Sequence, residues 1–117
     1  MVLKNEDTRS VGIDLVEVQR FTLLLNKKNK VFFEKVFMKT EVEYCLTYKA
    51  SAEHFAGIFA AKEAVSKAMG VHKYPYSEIE IRHTKHGAPV AYYRGKKIPI
   101  SISITHTKHV AAAIAIK

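Results

Sequence analysis

Near the start of the chain, Leu15, Val18, Phe21, Leu24 and Leu25 recur at intervals of three and four, which predicts one apolar stripe along an amphipathic helix. The pattern runs out in Asn26-Lys27-Lys28-Asn29-Lys30, a turn or break. Before it, Val11-Gly12-Ile13 reads as a short strand that ends where Asp14 opens the helical spacing. With Glu17 three residues on, Asp14 fits the N-cap of that helix. Residues 31–38 predict a helical turn or two. Thr40-Glu41-Val42-Glu43 has the capping-box spacing for a short helix through Tyr48, and Ser51 is a second N-cap. Residues 52–69 then predict a long helix stopped by Gly70, the residue most tolerant of a left-handed terminus. Phe55, Ile58, Phe59, Val65 and Met69 cover one side of it, while Ala60, Ala61, Ala64 and Ala68 cover much of the other. A helix apolar nearly all round is a central helix.

Beyond Gly70 the period changes to two. Ile79 and Ile81 alternate with Glu78, Glu80 and Arg82, Gly87-Ala88-Pro89 supplies a turn before a strand over 90–93, and Arg94-Gly95-Lys96-Lys97 supplies another. Ile98, Ile100, Ile102 and Ile104 mark one buried face, with Ser101, Ser103 and Thr105 opposite. Residues 110–116 carry Val and Ile at even positions and read as a closing strand despite their alanines. Helices followed by an antiparallel meander predict an α+β domain, with the long central helix packed on an antiparallel sheet. No linker or low-complexity stretch divides residues 1–117, so one domain is expected.

Composition narrows the class. The chain has 117 residues, 48% of them hydrophobic, which suits a folded domain and excludes disorder. One cysteine, Cys45, makes no internal bridge, and no apolar run approaches the ~20 residues that cross a bilayer. With a charged lead-in at residues 1–10, these features place the chain in the cytoplasm and away from membranes. Nineteen Lys and Arg against eleven Asp and Glu give a net charge of +8, which calls for an acidic partner without choosing one.

The candidate chemistry lies on few residues. Glu63 and Lys67 share one narrow stripe of the central helix, bordered by alanines, while Lys62 and Ser66 fall toward the far side of Phe59. The ordinary reading of Glu63 and Lys67 is an i,i+4 pair worth a few tenths of a kcal/mol. Asp14, at a strand exit, projects from a rigid base, and a second carboxylate beside it would make a site for a hard cation such as Mg²⁺. The histidine spacings do not form a zinc signature: His83 with His86, and His106 with His109, are three apart in extended or turn segments. His106 and Thr107 follow the polar face of a strand, where a surface turn is the bland alternative. There is no Gly-rich phosphate loop and no Gly-x-Ser-x-Gly motif.

Taken together, residues 12–20 (Gly-Ile-Asp-Leu-Val-Glu-Val-Gln-Arg), 59–70 (Phe-Ala-Ala-Lys-Glu-Ala-Val-Ser-Lys-Ala-Met-Gly) and 102–107 (Ile-Ser-Ile-Thr-His-Thr) resemble the holo-acyl-carrier-protein synthase family of 4′-phosphopantetheinyl transferases. The resemblance spans almost the whole chain. It implies transfer of the 4′-phosphopantetheine arm of coenzyme A to a serine of an apo acyl carrier protein, with Mg²⁺ required and adenosine 3′,5′-bisphosphate released. Asp14 and Glu63 then resemble the metal ligands, and Lys67 a group that steadies phosphate charge. The serine proton would pass to Glu63 or to a metal-bound water. Lys62, His106 and Thr107 resemble pyrophosphate or coenzyme A contacts, and Arg20, Lys27 and Lys30 the basic positions that dock an acidic carrier. The family's habit of forming homotrimers with sites between subunits is implied in the same way. Two departures lie near the coenzyme A end: Ile58 stands where the family commonly has Arg, and Val71-His72-Lys73 replaces its Gly-Thr-Gly, with Lys73 or Lys96-Lys97 as substitutes for the missing charge. Two other readings stand beside this one. One is a small basic nucleic-acid-binding domain, suggested by lysines and tyrosines at residues 73–76 and 92–97. The other is a degenerate transferase that docks a carrier without turning it over.

Overall fold

Strand β1 (Val11–Glu17) leads the part of the chain that the computed structural model describes, residues 10–70 and 76–117. Four helices follow: α1 (Val18–Asn26), α2 (Lys30–Val36), α3 (Lys39–Leu46) and α4 (Ser51–Met69). Five strands complete the fold: β2 (Ile79–His83), β3 (Pro89–Tyr93), β4 (Lys96–Lys97), β5 (Ser101–His106) and β6 (Val110–Ile116). The class is α+β with antiparallel pairing throughout, but the strands divide between two sheets instead of forming one meander. β1 returns to pair with β6 from Val11↔Ile116 to Glu17↔Val110, and β5 takes the other edge of β6. β2, β3 and β4 form the second sheet.

The register puts Gly12, Asp14 and Val16 of β1 on one face with Ala111, Ala113 and Ala115 of β6 and Ile102, Ile104 and His106 of β5. Helix α4 packs on this face, and small side chains set how close it comes. A Cβ on Gly12 would overlap the Ala64 carbonyl oxygen and crowd the Ala68 nitrogen, so only glycine permits this approach. From residue 55 to residue 68, only Glu63 and Lys67 of α4 escape full burial, as expected of a central helix. Gly70 closes it at φ 74°, in the left-handed region.

All six phenylalanines of the chain join one cluster. Phe21 of α1 meets Phe32, Phe37 and Phe59 at centroid separations of 5.5–6.1 Å, and Phe33 and Phe37 meet Phe55 at 4.9 and 5.1 Å. Mostly edge-to-face or tilted contacts of this kind add about 0.5–1.5 kcal/mol per pair to the burial itself. They pin α1 and the α2 segment to α4.

Several boundaries differ from the sequence pattern. β1 extends four residues past Ile13, so Asp14 lies inside a strand, opposite Ala113, and caps no helix; the residue before α1 is Glu17. The reason is that the outer face of β1 is also apolar. Val11, Ile13 and Leu15 are 56, 63 and 68% exposed, beside Ile114 and Ile116 of β6, so the period of two runs with its apolar members outward and breaks at Val16, where the spacing Leu15, Val18, Phe21 takes over. At α3 the cap is Met38, whose N–H donates to Glu41 Oε1 at 2.8 Å, while Thr40 is already helical and its hydroxyl donates to Glu80. Ser51 is likewise the first helical residue of α4, after an Ala50 cap. Ile100 is buried, but Ile98, Ile102 and Ile104 are only half-buried.

Candidate active site

Asp14 and Glu63 line one cleft, between β1 and α4. β1 contributes Asp14, Val16 and Glu17, α4 contributes Phe59 and Glu63, and Arg20 and Tyr76 close the sides. Asp14 reaches this position because its strand presents alternate residues to α4. Glu63 reaches it because it sits on the one stripe of α4 that the core leaves open. Both side chains are half-buried. The Tyr76 hydroxyl donates to Glu63 Oε1 at 3.0 Å. Lys67, one turn after Glu63, turns toward β1: its Nζ donates to the Ile13 carbonyl at 2.9 Å and lies 3.4 Å from Asp14 Oδ1. The expected i,i+4 neighbour thus bridges α4 and β1. With the lysine half exposed, this pair adds little stability. Its value lies in fixing a cation at the edge of a carboxylate cleft.

Among the described residues no set of three His, Cys, Asp or Glu side chains converges as metal ligands do. Two carboxylates in one cleft is nevertheless the protein complement that Mg²⁺ takes, because it fills its remaining positions with water and substrate phosphates. The oxygen-only donor pair therefore fits this ion and does not fit zinc.

Lys62 is placed differently from the sequence expectation. It is fully buried and its Nζ donates to Glu41 Oε1 at 2.6 Å, with Glu41 also fully buried. The same carboxylate accepts the Met38 N–H, and its other oxygen accepts the Ile81 N–H at 2.8 Å. Burial pushes the Glu41 carboxyl up and the Lys62 ammonium down, while their pairing opposes both shifts. Lys62 is hence a staple joining α4, the start of α3 and β2, and its ammonium is buried against Glu41 instead of opening to the surface as the expected pyrophosphate contact would. The partner, 21 residues away, leaves no mark in local spacing.

His106 lies on the other flank of α4, on the same sheet face as Asp14 but two strands away. Glu53 Oε1 lies 3.0 Å from its Nδ1, where the carboxylate holds the ring by a hydrogen bond. His106 shares a pocket with His54, His83, Tyr44 and Ile58, so the position singled out as a departure lies in its wall. None of the other three was a sequence candidate, since they come from α3, α4 and β2 with no common spacing. Thr107 closes the β5–β6 hairpin, where its hydroxyl oxygen accepts the N–H groups of His109 and Val110 at 3.1 and 3.2 Å. Val71, His72 and Lys73 lie outside the described residues.

Arg20 is exposed, with its guanidinium 5.0 Å from the Phe59 ring and 5.8 Å from that of Phe21. It belongs to the rim of the carboxylate cleft. Lys27 and Lys30 continue the basic surface beyond α1, and Lys30 makes an exposed pair with Glu34 at 3.8 Å. Of the tyrosines that suggested nucleic-acid binding, Tyr92 and Tyr93 carry arginines of the same chain, Arg82 3.9 Å from the Tyr92 ring and Arg94 5.1 Å from that of Tyr93, while Tyr74 lies outside the described residues. No described helix is long and apolar enough to cross a membrane.

Comparison with known proteins bears on this geometry. A family model described as the 4′-phosphopantetheinyl transferase superfamily matches residues 10–116. A holo-[acyl-carrier-protein] synthase of Chlorobaculum parvum is 37% identical over 111 residues, covering 91% of this chain and 95% of its own. The crystal structure of a holo-(acyl-carrier-protein) synthase from Bacillus anthracis, in complex with CoA (3′,5′-ADP), is similar with a TM-score of 0.77 at 32% identity, over 92% of this chain and 93% of that one. The Helicobacter pylori holo-[acyl-carrier-protein] synthase in complex with coenzyme A gives a TM-score of 0.78 at 26% identity, over 92% and 99%.

Proposed function

Because this chain belongs to the 4′-phosphopantetheinyl transferase superfamily, we infer that it is an enzyme of that kind: it transfers the 4′-phosphopantetheine group of coenzyme A to an apo acyl carrier protein. The observation that carries this reading at the level of residues is the meeting of Asp14 and Glu63 in one cleft, with Lys67 beside them. Asp14 and Glu63 would hold Mg²⁺ together with phosphate oxygens of the substrate. When bound, the ion supplies neutralisation of the pyrophosphate and polarisation of the phosphorus under attack.

The chain's own residues do the rest. A serine oxygen of the carrier bonds to the phosphorus that bears the pantetheine. The bond from that phosphorus to the bridging oxygen breaks, and its electron pair leaves on adenosine 3′,5′-bisphosphate. Glu63 takes the serine proton, and Lys67 steadies the phosphate oxygens as charge moves to the leaving group. Arg20, Lys27 and Lys30 attract the acidic carrier.

A single chain holds Asp14 and Glu63 on one flank of α4 and His106 on the other. In this reading the complete site forms where the carboxylate flank of one subunit meets the histidine flank of the next. A contact between two different surfaces is head-to-tail, and a rotation of a third of a turn would close it into the homotrimer that the family resemblance implies. The exposed Val11, Ile13 and Leu15 give such an assembly apolar surface to cover.

The test is incubation with coenzyme A, Mg²⁺ and a panel of apo carriers, read by the mass of the carrier. A gain of one phosphopantetheinyl group on a serine is the expected result. Carrier binding without mass gain would leave only a docking protein, and salt-sensitive nucleic-acid binding without coenzyme A binding would reject the reading.

A further inference from the structure

The pocket on the histidine flank, about 150 Å³ in volume, gathers three imidazoles from three elements: His54 of α4, His83 of β2 and His106 of β5. No Lys, Arg, Asp or Glu is among its described lining residues, so the imidazoles are the groups that can make it cationic. They are held firmly. His83 stacks on Tyr44 with centroids 3.8 Å apart and planes within 9°, His54 stacks on Tyr48 at 3.6 Å and 12°, and His54 meets the edge of His106 at 5.0 Å. The rings stack instead of converging their nitrogens, so the cluster is not arranged as a metal site.

We propose that His54 and His83, with His106 completing the ring, form a proton-dependent seat for the phosphomonoester of the nucleotide substrate, which takes up a proton on binding and holds its ligand more tightly as the pH falls. This rests on the coenzyme A reading above. Coenzyme A carries one phosphomonoester besides its pyrophosphate, and a monoester is a dianion above its second pKa of about 6. A neutral ring of imidazoles offers such an anion dipoles only, whereas one protonated ring offers a charge-assisted hydrogen bond.

Two of the three rings are shifted toward the neutral form in the free pocket. Burial first, and the neighbouring His106 second, hold His54 below the ordinary histidine pKa; burial and then His54 do the same to His83. The other titratable groups facing the rings are few. The Tyr44 hydroxyl, with Cys45 and Tyr48 beside it, is pushed up by burial and stays protonated. Glu53 of α4 faces His54 and accepts from His106. A dianion entering the pocket reverses the balance, since an opposite charge raises a histidine pKa where burial lowers it. The stacked tyrosines then favour the protonated rings through cation–π attraction.

Titration calorimetry of the full chain with adenosine 3′,5′-bisphosphate, in two buffers of different ionisation heat, reads the proton directly. The expected result is net proton uptake, with affinity rising roughly tenfold per pH unit between about pH 8 and 7 for each proton taken up. His54→Phe with His83→Gln, verified as folded by thermal melting, removes the uptake and flattens the profile. If the pair does not fold, each single variant lowers the uptake on its own. 3′-Dephospho-coenzyme A, which lacks the monoester, binds without uptake. Uptake unchanged in the variants, or equal for dephospho-coenzyme A, overturns the assignment. Binding without uptake in the unmodified chain overturns this inference alone, and no binding at any pH overturns the coenzyme A reading with it.

Discussion

The two flanks of α4 meet anionic chemistry in opposite ways. On the carboxylate flank, Asp14, Glu63, Lys67 and Arg20 bring permanent charges of both signs to one open cleft, as a site must where charge redistributes during a reaction. On the histidine flank, the described lining holds no permanently charged side chain, and three imidazoles, two stacked on tyrosines and one edge-on, take its place. Fixed charge suits a step in which bonds change, and titratable charge suits a seat that must fill and empty. One helix carries residues of both flanks and keeps them apart.

The hardest test of this contrast removes fixed charge from the first flank. Asp14→Asn and Glu63→Gln are each expected to lower carrier modification by at least about a hundredfold, the scale seen when a preorganised electrostatic group is lost. Because both side chains are half-buried in an open cleft, stability should move by only about 0.5 kcal/mol. Mass spectrometry of the carrier and thermal melting measure the two effects. Near-normal turnover of either variant at limiting Mg²⁺ would remove the metal assignment.

Lys62 sharpens the comparison because it is a charge that belongs to neither flank. Lys62→Met should leave Glu41 buried without its cation and destabilise the fold by about 3–5 kcal/mol. Lys62→Met combined with Glu41→Gln should recover part of that loss, since the neutral amide needs no buried cation and its oxygen can still accept a backbone N–H where Glu41 accepts those of Met38 and Ile81. Denaturant melts of the single and double variants provide the cycle. If the single variant is as stable as the parent and loses only coenzyme A affinity, Lys62 is a ligand contact and not a staple.

What the sequence made legible, and what it hid, follows the same geography. The central helix was plain because its apolar positions and its terminal Gly70 are local signals, and Glu63 and Lys67 stood out as charges on it. Asp14 was found but misplaced: the alternation of Val11, Ile13 and Leu15 with Gly12 and Asp14 turns its apolar side outward and stops at Val16, too short and inverted to mark the strand's end. The spacing of Leu15, Val18 and Phe21 then mimicked an earlier helix start. Lys62 looked available because its partner Glu41 comes from another helix. The histidine pocket was invisible for a stronger version of that reason, as α3, α4, β2 and β5 each contribute to its wall and only the fold brings them together.

Mixing subunits tests whether the separated flanks cooperate. Asp14→Asn lacks the first half-site and His106→Ala weakens the second, so each alone should transfer poorly. Trimers reassembled from equal amounts should recover roughly a quarter of the parent rate, because one in four head-to-tail junctions then pairs an intact carboxylate flank with an intact histidine flank. Recovery absent despite verified exchange of subunits would mean that each chain works with its own two flanks, and the proposed junction would fall.

Arg20 should give the smallest effect and the finest discrimination. It stands at the cleft rim with its guanidinium over Phe59, whereas Lys27 and Lys30 lie farther along on open surface, and Lys30 is partly neutralised by Glu34. Arg20→Ala should raise the carrier KM several-fold at low salt, with the difference shrinking as ionic strength passes about 0.15 M and the Debye length falls to about 8 Å. The coenzyme A KM should hold steady, because attraction of an acidic protein acts over a wide surface while a nucleotide contact acts at one point. Equal increases in both KM values, insensitive to salt, would move Arg20 from docking to nucleotide binding and make the carboxylate cleft the seat of the whole pyrophosphate.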